Sequence, residues 1–168
     1  MAGQKFIQHG VNGLTEKIAT QVGGAGSENK IPALDDNGRF PEEMMPSGIG
    51  ADTAGITASE ALGFGDFVNV YNDAGVSKAR KSDGTTNGKP ASGFVKVSVS
   101  SGALATVYFD GNNDVVTGAT PGKAYLSTIA GKASSTPPNA SGNLVQILGV
   151  ATSATSINFT QSSGVTLA

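Results

Sequence analysis

Hydrophobic and polar positions alternate along most of this chain, and the pattern divides it into three regions of different texture. Residues 1–29 come first. Here Val11, Leu14, Ile18 and Val22 recur at helical spacing, with Phe6 and Ile7 ahead of them. Asn12 is placed to cap such a helix and Gly23-Gly24 to end it. A helix of about three turns is marginal on its own, so its apolar stripe needs a partner. Gly10 and Gly13 weaken the helix, and an extended arm is the competing expectation.

Residues 30–52 read as a neck. Lys30-Ile31-Pro32-Ala33-Leu34 and Arg39-Phe40 flank Asp35-Asp36-Asn37-Gly38, a run of turn residues in which Gly38 suits a positive φ. Pro41-Glu42-Glu43-Met44-Met45 reads as one helical turn closed by Pro46, and Ser47-Gly48-Ile49-Gly50 as a hinge.

Residues 53–168 read as β throughout. The expected strands are Phe67 to Tyr71, Val76 to Arg80, Phe94 to Val99, Ala105 to Phe109, Ala124 to Ser127, Val145 to Val150 and Ser156 to Phe159. Gly, Asn, Asp and Pro turns separate them, among them Asn72-Asp73-Ala74-Gly75. Short strands at such spacing build a small antiparallel barrel or sandwich. The expected fold is mainly β, with a short N-terminal helix or extended arm. The expected core is Phe67, Val70, Phe94, Val97, Val107, Phe109, Tyr125, Ile147, Val150, Ile157 and Phe159. Ala58-Ser59-Glu60-Ala61-Leu62 is the one helical competitor.

Composition sharpens this picture. Only 14% of residues are charged and the formal net charge is -2, which gives no long-range attraction to nucleic acid or an anionic membrane. From Val97 onward the only charged side chains are Asp110, Asp114, Lys123 and Lys132. Sheet edges are commonly guarded by charge. So uncharged a β body points to edges closed into a barrel or covered by neighbouring subunits. There is no cysteine, which excludes disulfides and thiolate metal sites. Residues 1–9 lack an apolar signal core, so folding is expected in the cytoplasm, with no membrane association.

The residues assemble no recognisable catalytic motif. His9 is the single histidine and lies in the N-terminal segment, so neither a Ser-His-Asp nor a Cys-His site is expected. Gly23-Gly24-Ala25-Gly26 lacks the Gly-Lys-Ser/Thr of a phosphate loop. Asp110-Gly111-Asn112-Asn113-Asp114 has calcium-loop spacing, but Val115 and Pro121 stand where such a loop needs Gly and Glu. A hairpin turn is the favoured reading there. Asp35/Asp36 and Glu42/Glu43 are adjacent acids suited to turns and helix starts. Lys78 and Arg80 share one face of a strand, with Lys81 beside them, and read as an exposed face. No catalytic residue, cofactor or metal is expected.

Several runs nevertheless have a distinctive order. Gly65-Asp66-Phe67-Val68-Asn69-Val70-Tyr71 leads into Val76-Ser77-Lys78-Ala79-Arg80-Lys81. Pro121-Gly122-Lys123-Ala124-Tyr125-Leu126-Ser127 precedes Gly131, Val145-Gln146-Ile147-Leu148-Gly149-Val150-Ala151 and Ser156-Ile157-Asn158-Phe159. This order resembles the β domain of bacteriophage capsid decoration and head-fibre proteins, shared with some tail-fibre modules. The resemblance runs from the neck to near the C-terminus. It implies a homotrimer on the virion surface, bound to the major capsid protein through its N-terminal part and stabilising the head. Phe6, Ile7, Val11, Leu14, Ile18 and Val22 are the candidate capsid-binding residues. The alternative is a receptor-binding module contacting host surface glycans.

Overall fold

The computed structural model describes residues 5–11, 13–19, 31–34, 38–40 and 51–168. The chain divides into two compact units, Met1–Gly50 and Ala51–Ala168.

In the first unit, β1 (Lys5–Gly10) and β2 (Gly13–Ile18) form an antiparallel hairpin. The helix expected from Val11 onward is therefore replaced by strand over Gly13–Ile18. The reason lies in the spacing: Leu14 and Ile18 are four apart, which puts them on one side of either a helix or a strand. Gly10 and Gly13 decide between the two. They pair across a two-residue loop, and Gly13 takes φ +103, a value that favours glycine. Val22, the Gly23-Gly24 stop, the Pro41 to Met45 turn and the Gly48 hinge lie outside the described residues. Gly38 has the positive φ expected of it.

The second unit contains two sheets and a short ribbon, and no helix among its described residues. The first sheet is a closed barrel in the order β3-β5-β4-β6-β7. Its strands are β3 (Thr53–Ala58), β4 (Phe67–Asp73), β5 (Val76–Lys81), β6 (Gly93–Phe94) and β7 (Leu104–Tyr108). All pairs are antiparallel except β3 with β5, which is parallel at Thr57–Lys78 and Ala58–Ala79. The second sheet is open, in the order β10-β9-β12-β13-β8. It comprises β8 (Asp110–Asn113), β9 (Gly122–Leu126), β10 (Ala133–Ser134), β12 (Ile147–Ser153) and β13 (Ser156–Thr160). β11 (Leu144–Val145) pairs with β14 (Val165–Thr166).

Two apolar cores follow from strand alternation. Val68 and Val95 point into the barrel with Ile56, Ala79, Ala105 and Val107. Their neighbours Phe67 and Phe94 point the opposite way, into a second core with Leu126, Leu148, Ile157 and Phe159. The barrel thus supplies one wall of the second core and the open sheet the other. Phe67, Phe94 and Phe159 form a triangle of rings with centroids 5.7 to 6.4 Å apart, and Tyr108 stacks on Phe94 at 5.3 Å. Such pairs add directional stabilisation to the burial itself.

Several expectations are corrected. Ile147, Val150 and Val97 are exposed, and Val70, Phe109 and Tyr125 are half-buried. In β12 the inward positions are Leu148 and then Ala151, because a bulge between Ile147 and Gly149 shifts the frame. Gly149, at φ +132, makes this bulge feasible, since a Cβ there would overlap the Asn158 carbonyl oxygen. Residues 58–62 are not helical: β3 ends at Ala58, and Leu62 bridges to Val99. The low charge of the second half does not mark barrel closure. Of the strands beyond Val97 only β7 joins the barrel, and the rest build the open sheet and the ribbon. That sheet's edges are protected by shortness instead, β10 having two residues and β8 four.

Candidate functional site

The hairpin register sorts the residues expected to bind. Lys5 faces Ile18, Ile7 faces Glu16 and His9 faces Leu14. Paired residues share a face, so Ile7, Leu14 and Ile18 lie together. Phe6 lies on the other face with Lys17, Gln8 and Thr15. Ile7 and Leu14 are each 71% exposed and Ile18 60%, while Val11 at the loop is fully exposed. Lys5 and Glu16 make a diagonal ion pair at 2.7 Å on the apolar face. On this face each apolar residue sits opposite a polar one, and the Lys5 and Glu16 charges neutralise each other between Ile18 and Ile7. An isolated two-stranded hairpin is marginal in water, and covering this face would stabilise it. Three of the six candidates thus form one surface, Phe6 faces away, Val11 sits at the tip, and Val22 is outside the described residues.

His9 shares the exposed hairpin face and is itself exposed. Among the described residues no three His, Asp or Glu side chains gather as a metal-ligand set. Asp110 to Asn113 is not a turn but the edge strand β8, paired with β13 from Asn113–Ile157 to Asp110–Thr160. Gly111 at φ +103 and a hydrogen bond from the Ser156 hydroxyl to Asn112 Oδ1 (2.6 Å) accommodate it there. Asp114 follows and pairs with Lys96 at 3.0 Å, whose hydrogen bond holds the Asp114 carboxyl below the usual carboxylate range.

Lys78 and Arg80 do share one strand face, separated by buried Ala79. Both are engaged. Lys78 pairs with Asp73 at 2.5 Å, and this hydrogen bond raises its pKa. Arg80 lies 4.2 Å over the Tyr71 ring and donates to Asn69 Oδ1 at 2.9 Å and to the Gly88 carbonyl at 2.7 Å. The cluster is a fixed structural element rather than a set of free cations.

The chemistry hidden from the sequence lies in buried polar side chains. Asp66, 2% exposed in its side chain, is held by the Lys132 ammonium at 2.5 Å, by the Gly63 N–H at 2.8 Å and by Lys81 at 3.8 Å. A buried carboxylate requires such partners. Gln146 is buried and mimics a strand edge. Its Oε1 accepts from the Ala91 N–H at 2.7 Å, and its Nε2 donates to the Ala91 and Ser162 carbonyls at 2.9 Å each. Asn113 donates to the Gly65 carbonyl at 3.0 Å, while its buried Oδ1 has no partner. No sequence motif marks these three; each is polar in a run that reads as strand or turn.

Beside Asp66 a cleft of about 270 Å³ opens between the loop before β4 and the segment 116–119. Phe64 stands at it, 62% exposed, with Phe67, Val116 and Ile157 as apolar walls and Lys132 and Thr117 as polar ones. Comparison of the chain with protein-family models, curated proteins and solved structures returned no match.

Proposed function

We infer that this protein is a structural subunit of a bacteriophage head, a cement or head-fibre protein on the capsid exterior. The N-terminal unit is the foot, seated on the major capsid protein. The β body is carried outward, and a homotrimer bridges neighbouring capsomers. Binding the assembled shell in preference to its free parts stabilises the head by linkage, and several feet acting together raise effective affinity.

The observation that carries this reading is the exposure of Ile7, Leu14 and Ile18 on one face of a hairpin that belongs to the Met1–Gly50 unit and not to the body. Exposed apolar side chains on so small an element favour a partner surface over water. The resemblance of the body's sequence runs, in their order, to phage head proteins supports it, as does the tying of Lys78, Arg80, Lys81, Lys96 and Lys132 into ion pairs and ring contacts. The test is capsid occupancy by the full chain and by a chain altered only on the hairpin's apolar face. Loss of occupancy with an intact body is the expected result.

A further inference from the structure

We propose that the cleft beside Asp66 is a binding site for a small ring-shaped organic acid, a carboxylate carried on a six-membered ring. This goes beyond the head-decoration reading and does not depend on it.

Size sets the first limit. At about 270 Å³ the cleft lies just below the usual range of small-ligand sites, about 300 to 1,000 Å³, so it has room for a ligand no larger than a single substituted ring. The walls set the second. Phe67, Val116 and Ile157 give an apolar interior, and Phe64 at 62% exposure is a large aromatic surface open to solvent. A ring laid against Phe64 covers that surface on one side.

The polar contribution is Lys132. Its ammonium has three donors, and among the described residues its one acceptor is Asp66. Asp66 does not rely on Lys132 alone, because the Gly63 N–H and Lys81 also hold it. Lys132 can therefore turn a second N–H toward a ligand without stranding the buried carboxylate. The other nearby acid, Glu60, accepts from the Lys81 backbone N–H at 2.8 Å and so belongs to the Lys81 side of the pair. An acid on the ligand meets a half-exposed cation, in a setting drier than open solvent, where a charge-assisted hydrogen bond strengthens. The smaller cavity continuing past Ala119, Ala133 and Ile157 is lined by the hydroxyls of Thr120, Ser134 and Ser135. It offers hydrogen bonds to ring substituents.

Two kinds of ring meet this description, a sugar acid and an aromatic acid, and one titration separates them. The full chain, labelled with 15N, is titrated with glucuronate, benzoate, glucose and benzyl alcohol. The expected result is a dissociation constant on the order of 1 mM for at least one acid. Amide shifts should concentrate at Thr117, Gly131, Lys132 and Ala133, and the matching neutral compound should bind at least tenfold more weakly. Response to glucuronate alone identifies a sugar-acid site, and response to benzoate alone an aromatic-acid site. Lys132→Gln should weaken binding about tenfold. Phe64→Ala, which leaves the Asp66 pairs in place, should weaken it several-fold, and Lys132→Arg should retain it. The proposal is overturned if neither acid binds, if neutral partners bind equally, if the shifts fall elsewhere, or if Phe64→Ala binds like the unaltered protein.

Discussion

Replacing Ile7 and Leu14 with serine removes two of the three exposed apolar side chains on the hairpin face that also carries Ile18, while keeping the residues that pair its backbone. Each side chain is 71% exposed. Covering an exposed side chain of this size is worth about 1.5–3 kcal/mol when burial is complete. With roughly two thirds of each surface available, the pair contributes about 2–4 kcal/mol to a contact that buries it. At 1.4 kcal/mol per decade, that is a loss of about 30- to 1,000-fold in the affinity of each foot. If several feet of one oligomer engage together, the loss compounds. The assay is co-sedimentation with capsids assembled without this protein, with occupancy read from band intensity against the major capsid protein. Two controls isolate the effect. Gln8→Ser and Thr15→Ser lie on the opposite face and should bind normally. The melting temperature of the body should be unchanged, because the hairpin belongs to the other compact unit. Undiminished occupancy by the Ile7→Ser/Leu14→Ser chain would refute the assignment of this face to the capsid contact.

Three further outcomes concern the body. Ala74 carries φ 51 beside Gly75 at φ 89, so both loop residues of the β4–β5 hairpin sit in the left-handed region. Ala74→Asn should raise stability by about 0.5–1 kcal/mol, read as a higher urea midpoint with unchanged slope. Gln146→Leu leaves the Ala91 N–H and the Ala91 and Ser162 carbonyls without their side-chain partner. It should cost about 3 kcal/mol and lower Tm by roughly 10 °C or more, measured by calorimetry. Asp114, whose pKa is depressed by Lys96, contributes stability above its unfolded pKa and loses it as pH falls through the folded value. Asp114→Asn should therefore be less stable than the unaltered chain at pH 7, by no more than about 1 kcal/mol for so exposed a pair. The gap should close as pH drops below about 4, and a gap that widened with acid would contradict the assignment.

The strands of the body are written in local alternation and turn chemistry. β4, β5, β7, β9 and β13 fall where Val, Phe, Tyr and Ile alternate with polar residues, and the Asn72 to Gly75 turn joins β4 to β5 with Asn72 Oδ1 accepting from the Gly75 N–H at 2.7 Å. Burial of Phe67, Phe94, Val107, Ile157 and Phe159 follows from the same pattern, because these are bulky apolar side chains in strands that must cover one another. At the N-terminus the exposed apolar residues Leu14 and Ile18 were legible, but their backbone and their neighbour Ile7 on the same face were not. A four-residue spacing satisfies strand and helix alike, and only pairing across the Gly10–Gly13 loop distinguishes them.

The tertiary structure decided the rest, because the deciding interactions span distances along the chain that no local window contains. The Gly149 bulge depends on the neighbouring Asn158 carbonyl, and it turns Ile147 and Val150 out to solvent. Asp66 is enclosed by Lys81 and Lys132, the latter 66 residues away, and Gln146 completes the backbone of Ala91 from 55 residues away. A carboxylate or an amide reads as surface until the fold brings it a partner. Local pattern thus determined which segments extend and which side chains seek cover, while long-range pairing determined which polar groups could be buried and where a cleft would remain open.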